Sequence, residues 1–171
     1  MNTYHILLAD DHVLLRQGLK NIIEKMADLK IVGEVGDGLE LLQLLKKLTP
    51  HLIILDISMP HLRGLEAIRE IKAIHPAVKV LMLTMHKDRE YLHEAISAGA
   101  QGYLLKEDAD TELFSAIQAI RQGKLYLSPF FSRVLNEDWV QNLRGKQTLP
   151  LDEPLTTRER EILKLIAEGK S

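Results

Sequence analysis

Four short apolar runs constrain this chain most, and each is closed by a residue that can do chemistry. They read Ile6-Leu7-Leu8-Ala9 before Asp10-Asp11, Leu52-Ile53-Ile54-Leu55 before Asp56, Lys79-Val80-Leu81-Met82-Leu83 before Thr84, and Gly102-Tyr103-Leu104-Leu105 before Lys106. Amphipathic stretches of helical period lie between them, so the runs read as parallel strands buried on both faces. The fold class is therefore α/β. In such a sheet, groups at the carboxyl ends of the strands converge on one crevice. Three carboxylates, one hydroxyl and one ammonium are expected to meet there.

Strand and helix patterns alternate five times. The spacing predicts helix one over residues 12–26, with Leu15, Leu19, Ile22, Ile23 and Met26 on one face. A second strand covers 30–35. Helix two covers 39–48 and is stopped by Thr49-Pro50; helix three covers 65–75 and is stopped by Pro76. Helix four covers 88–97 with Gly99 as its C-cap, and helix five covers 110–121, closed by Gly123. Right-handed crossovers turn this series into a doubly wound parallel sheet of order 2-1-3-4-5.

Beyond Gly123 the pattern changes. Ser128-Pro129 reads as an N-cap and first-turn proline. Phe130, Phe131, Val134, Leu135, Trp139, Val140 and Leu143 then recur at helical spacing, a stripe that must pack within the chain or on a partner. Residues 144–150 read as a linker. Thr156 with Glu159 has capping-box spacing, and Ile162, Leu163, Leu165 and Ile166 form an apolar stripe. The reading thus divides the chain into a domain over 1–124, a linker with one helix over 125–153, and the first helix of a further domain over 154–171. A lone helix of that length does not form a domain, so the natural protein is expected to continue past Ser171.

With 171 residues, 46% of them hydrophobic, the chain can fill one ordinary core and carry an appendage. A formal net charge of -2 leaves no overall nucleic-acid footprint. The absence of cysteine excludes disulfide and thiolate chemistry and suits the cytoplasm. No basic segment precedes a long apolar core at the start, and no apolar run approaches the roughly 18 residues of a spanning helix. No leader and no membrane association are expected.

Crowded carboxylates repel one another unless a cation sits among them. An all-oxygen donor set suits Mg²⁺. Asp56, alone at the end of its strand, is the natural nucleophile for a phosphoryl group. Lys106 offers a point charge to phosphoryl oxygens and Thr84 a hydroxyl donor. An Asp pair after a strand is by itself often only a helix cap, and a single Lys is usually solvated. The joint placement at strand ends is what favours a site. His12, His61 and His86 fall near it without any zinc-like spacing and read as loop residues, and Lys46-Lys47 as a solvated helix face.

Residues 5–122 resemble the receiver domain of bacterial two-component response regulators. The resemblance rests on Asp10-Asp11, Asp56-Ile57-Ser58-Met59-Pro60 with Gly64, Thr84-Met85-His86, and Tyr103-Leu104-Leu105-Lys106. Residues 155–171 resemble the opening of a LuxR-type helix-turn-helix domain, and together the two point to the NarL/FixJ class of transcriptional regulators. The resemblance implies a flavodoxin-like (βα)5 fold and phosphorylation of Asp56 by a partner sensor histidine kinase. It implies that Asp11, Asp56 and the backbone carbonyl of Ser58 hold Mg²⁺ directly, with Asp10 acting through water. Thr84 and Tyr103 would form a switch pair, Lys106 would grip the phosphate, and Ser58 and His86 would tune the phosphoryl lifetime. It further implies a DNA-binding transcriptional output, possession of promoter DNA as a partner only in the full-length protein, homodimerisation on phosphorylation, and assistance of its own phosphorylation without being a turnover enzyme.

Two departures stand out. Many receivers follow the lysine with a proline in a cis bond; here it is Glu107, before which a cis bond costs about 3 kcal/mol. Met85 is bulkier than the small residue common there, so narrower access is expected. Three other classes fit parts of the pattern. A haloacid-dehalogenase-type phosphatase would need Asp-x-Asp after the first strand, where this chain has adjacent acids. A flavodoxin would need a hydroxyl- and glycine-rich loop in place of Asp10-Asp11-His12. A receiver with protein-binding output differs only past residue 154.

Overall fold

In the computed structural model, which describes residues 2–134, alternation along the strands sorts the apolar residues into two cores. The strands are β1 (Tyr4–Ala9), β2 (Leu29–Val35), β3 (Leu52–Asp56), β4 (Lys79–Thr84), β5 (Gly102–Leu105) and β6 (Tyr126–Leu127). The helices are α1 (Val13–Glu24), α2 (Gly38–Leu44), α3 (Gly64–Ile74), α4 (Arg89–Ala98), α5 (Ala109–Arg121) and α6 (Pro129–Val134). Leu7, Ala9, Ile53, Leu55, Val80, Met82, Tyr103 and Leu105 face one side, covered by α2, α3, α4 and α6. Ile6, Leu8, Leu52, Ile54, Leu81, Leu83 and Leu104 face the other, covered by α1 and α5 through Leu19, Ile23, Leu113, Ile117 and Ile120. Successive side chains of a strand point to opposite faces, so one run of apolar residues feeds both cores.

All pairings are parallel, in the order β2-β1-β3-β4-β5-β6. The doubly wound order 2-1-3-4-5 is present and gains an edge strand. β6 pairs Tyr126 with Gly102 and Leu127 with Tyr103. Two residues carry no readable period, which is why the sequence did not reveal it. β6 and α6 lie past residue 124 and pack on the same sheet.

Helix ends differ from the expected ones by a residue or two, except in α2. That helix starts at Gly38 because the Asp37 carboxylate accepts the Glu40 N–H at 2.8 Å. It closes at Leu44, before the expected residue 48. Lys46 and Lys47 donate three residues back, to Gln43 and Leu44, and tighten the chain into turns. Pro50 disfavours helical backbone at Thr49. Gly99 ends α4 at φ 115°, the left-handed C-cap conformation that glycine adopts without strain.

Ser128 stands just before α6, yet its hydroxyl does not cap the helix. It is buried and accepts the Leu105 N–H at 2.8 Å. β6 ends at Leu127, so that N–H would otherwise be buried without a partner. Phe131 is fully buried and meets the Tyr103 ring edge-on at 5.2 Å and Phe130 at 5.1 Å. The aromatic stripe therefore begins by packing within its own chain. The rest of the helix expected over 129–143, the linker at 144–150 and the apolar helix at 157–168 lie outside the described residues. Among the described residues no peptide bond is cis, and no helix is long and apolar enough to cross a membrane.

Candidate functional site

Parallel topology places Asp10, Asp56, Thr84 and Lys106 at the carboxyl ends of β1, β3, β4 and β5. β3 and β4 both neighbour a central strand, so Asp56 and Thr84 are buried at 2% and 0% exposure, as is Asp10 at 2%. Lys106 opens a 3₁₀ turn and turns back over the sheet. Its Nζ lies 3.2 Å from Asp10 Oδ2 and 3.5 Å from Asp56 Oδ1. Asp11 is exposed at the rim, and one ligand atom from each of Asp10, Asp11, His12 and Asp56 lies within 4.8 Å of the others.

Asp10 works with both carboxylate oxygens. Oδ1 accepts the His12 N–H at 2.8 Å, a local turn ahead of α1, whose N-cap is His12 and has no side-chain cap, so Asp10 does not serve as a helix cap. Oδ2 faces Lys106 as an ion pair, without hydrogen-bond geometry. Asp56 Oδ1 accepts the Ser58 N–H at 3.3 Å. Asp10 Oδ2 and Asp56 Oδ2 are buried and receive no hydrogen bond. Unsatisfied carboxylate oxygens in a buried site carry a desolvation cost that a bound cation would remove. The donor set therefore fits a hard divalent ion.

Burial raises the Asp56 carboxyl above the usual range, and the Asp10 carboxylate beside it pushes further the same way. The Lys106 ammonium and the Ser58 N–H oppose this and do not cancel it. The folded chain thus keeps the Asp56 proton to higher pH than the unfolded chain does. In metal-free protein this contribution to stability is fully present below about pH 4, the ordinary carboxylate value. It is lost as pH rises through the higher folded value. Asp56→Asn removes the charge, so the variant should be the more stable protein at pH 7, with the gap narrowing toward pH 4. Urea midpoints at the two pH values check this; a gap independent of pH would refute it.

Thr84 and Tyr103 both hold His86. The Thr84 hydroxyl accepts the His86 N–H at 3.0 Å, and the fully buried Tyr103 donates its hydroxyl to the His86 carbonyl at 3.1 Å. Burial pushes the Tyr103 phenol up. Ser58 Oγ lies 3.4 Å from His86 Nε2 across the mouth of the site. Met85 is largely exposed, which leaves its bulk directed to solvent rather than into the crevice.

Two contributors escaped the sequence reading. Arg16, on α1, donates to the Asp10 carbonyl at 2.5 Å and to the Val35 carbonyl at 3.3 Å, clamping the ends of β1 and β2 beside the acidic pair. A lone arginine among the apolar residues of helix one was its only signal. His12, read as a loop residue, places Nδ1 at 3.1 Å from Asp10 Oδ1 and 3.4 Å from Asp11 Oδ1.

Residues 6–118 match the response regulator receiver domain family. The chain is 36% identical to the transcriptional regulatory protein DegU of Brevibacillus brevis over 183 residues, covering 99% of this chain and 77% of that protein. A two-component response regulator of the LuxR family from Aurantimonas sp. SI85-9A1 has a similar structure, with TM-score 0.75 and 34% identity over 81% of this chain and 99% of that one. The RcsB response regulator of Salmonella typhimurium matches with TM-score 0.74 and 30% identity over 100% of this chain and 80% of that one. This chain belongs to the response regulator receiver family, and its kinship is with transcriptional response regulators of two-component phosphorelays.

Proposed function

We propose that Asp56 is the phosphoacceptor of this chain and that Asp10, Asp11, Asp56 and the Ser58 backbone carbonyl hold Mg²⁺. The observation that carries this reading is the meeting of buried Asp10 and Asp56 at the strand ends, with the Lys106 ammonium 3.2 Å from Asp10 Oδ2 and 3.5 Å from Asp56 Oδ1, and with Asp56 Oδ2 left buried without a hydrogen bond. A sensor histidine kinase presents a phosphoimidazole; an Asp56 oxygen forms the new P–O bond, the P–N bond breaks, and the imidazole leaves with its electron pair. Bound Mg²⁺ supplies charge that offsets the repulsion between carboxylate and phosphoryl group. Lys106 leaves its ion pairs with Asp10 and Asp56 to hold a phosphoryl oxygen. Thr84 turns its hydroxyl proton toward the phosphoryl group.

The switch follows from the shared grip on His86. Moving Thr84 alters one hold on the β4–α4 loop, and Tyr103 keeps the other. Tyr103 also packs on Phe131 of α6, so the shift is passed to the segment after the receiver. A phosphate that binds one arrangement better shifts a pre-existing equilibrium toward it.

In the division at 1–124, 125–153 and 154–171 the middle segment would begin as part of the receiver, since β6 and Phe131 of α6 complete its sheet and core, and 154–171 would open a DNA-binding output. The relatives' descriptions as a transcriptional regulatory protein and a LuxR-family regulator, and a structure described as two RcsB dimers bound to two parallel DNAs, support an output that binds promoter DNA as a homodimer, which phosphorylation of Asp56 would favour. The cytoplasm is where such a partner set meets. The receiver assists its own phosphorylation and dephosphorylation and turns over no free substrate. Acetyl phosphate with Mg²⁺ should add a single phosphate by intact-mass spectrometry, and Asp56→Asn should take no phosphate. Persistence of the modification in the variant would refute the assignment.

A further inference from the structure

The reading of the acidic cluster as an all-oxygen site leaves out a nitrogen that stands inside it. His12 Nδ1 lies 3.1 Å from Asp10 Oδ1 and 3.4 Å from Asp11 Oδ1. An octahedral cation with ligands at about 2.1 Å holds adjacent ligands about 3.0 Å apart and opposite ones about 4.2 Å apart. The two His12 distances match adjacent positions within a few tenths of an ångström. The whole set, Asp10, Asp11, His12 and Asp56, spans at most 4.8 Å. Asp10 and Asp56 are each 2% exposed; Asp10 Oδ2 has only the Lys106 ammonium beside it, and Asp56 Oδ2 is buried with no hydrogen bond, aimed into a pocket that would take a cation.

The orientation of the imidazole is set by a third contact. Lys106 Nζ lies 3.2 Å from His12 Nδ1. An ammonium has only protons to offer, so this contact is attractive when Nδ1 is bare and Nε2 carries the hydrogen. Nδ1 thus stands between the ammonium and the two carboxylate oxygens, the place a cation would take among the same groups. The Nδ1 atom faces the space that Lys106 shares with Asp10 and Asp56. The His12 ring is 60% exposed, which leaves it free to make the small rotation that coordination needs.

We infer that His12 donates Nδ1 to the cation held by this cluster, making it a mixed nitrogen–oxygen site that favours later first-row divalent metals over Mg²⁺. The inference rests on the proposed cation site. Carboxylate and carbonyl oxygens suit Mg²⁺ and Mn²⁺, whereas imidazole suits Ni²⁺ and Zn²⁺, and affinity rises along the series from Mn²⁺ to Ni²⁺ for a given donor set. Removing one nitrogen should therefore weaken Ni²⁺ far more than Mg²⁺.

The test uses the full chain with metal alone. Calorimetric titration of His12→Phe against wild type should show Ni²⁺ affinity at the carboxylate site down tenfold or more, with Mg²⁺ affinity changed less than about twofold. Asp11→Asn, which should lose both metals, identifies the site among the chain's other histidines. Pulsed EPR of the Mn²⁺-loaded wild type should show nitrogen coupling that disappears in His12→Phe. Equal losses for Ni²⁺ and Mg²⁺, Mn²⁺ bound without nitrogen coupling, or coupling that survives in His12→Phe would each overturn the inference while leaving the cation site standing. A wild type that binds none of these metals would overturn both.

Discussion

Phe131→Ala is expected to remove about 3–5 kcal/mol of folding stability. The side chain is fully buried although it belongs to a six-residue helix beyond the last strand. It fills the space against Tyr103 on β5 in the core that α2, α3 and α4 share. Truncation leaves a void beside a strand whose position is set by pairing on both edges, so the site cannot collapse to fill it. Urea unfolding of the full chain measures the loss, and Phe131→Leu should recover much of it. A loss below about 1 kcal/mol would mean that α6 does not seal this core. The same packing bears on any fragment cut after residue 124. It would lose β6, Phe131 and the Ser128 hydroxyl that satisfies the Leu105 N–H. Such a fragment should be less stable than one ending at 134, and its Tyr103 ring more exposed to solvent.

Gly64→Val is expected to be the most damaging substitution near the site that touches none of its chemical groups. Gly64 begins α3, and its N–H donates to the Ile57 carbonyl at 3.0 Å. A Cβ at this position would stand 2.6 Å from both the Asp56 carbonyl oxygen and Ile57 Cα. Those are backbone atoms at the end of β3 and cannot swing aside as a side chain can. The helix must move outward or the Asp56 turn must shift, a strain of about 1–3 kcal/mol. Because the displaced segment carries Asp56, acetyl phosphate labelling should slow together with the fall in stability. Gly18→Ala is the control. Gly18 lies in α1 with nothing within 4 Å of the new Cβ, so alanine there should leave stability unchanged or raise it by roughly 0.5–1 kcal/mol. Equal effects of the two substitutions would show that close backbone approach is not what requires glycine at residue 64.

The order of elements and the strand-end positions of Asp10, Asp56, Thr84 and Lys106 could be read from the chain itself. Apolar periodicity records which faces are buried, and parallel strands joined by helices have few ways to be wound. Once the sheet is parallel, residues that close the strands are neighbours however far apart they lie in sequence. His12, Arg16 and Ser128 were a different matter. His12 joins the cluster because α1 starts one residue later, which turns its ring back over the acids. Arg16 reaches two strand ends only because α1 lies across them. Ser128 does stand at the N-cap position before Pro129, with its carbonyl accepting the first helical N–H, but its hydroxyl satisfies a strand, since β6 is two residues long and stops short of Leu105. Local pattern determined the fold, the winding and the strand-end chemistry. The partner of each individual polar atom was decided only by tertiary structure, because a hydrogen bond or ion pair depends on tenths of an ångström set by how helices start and settle on the sheet.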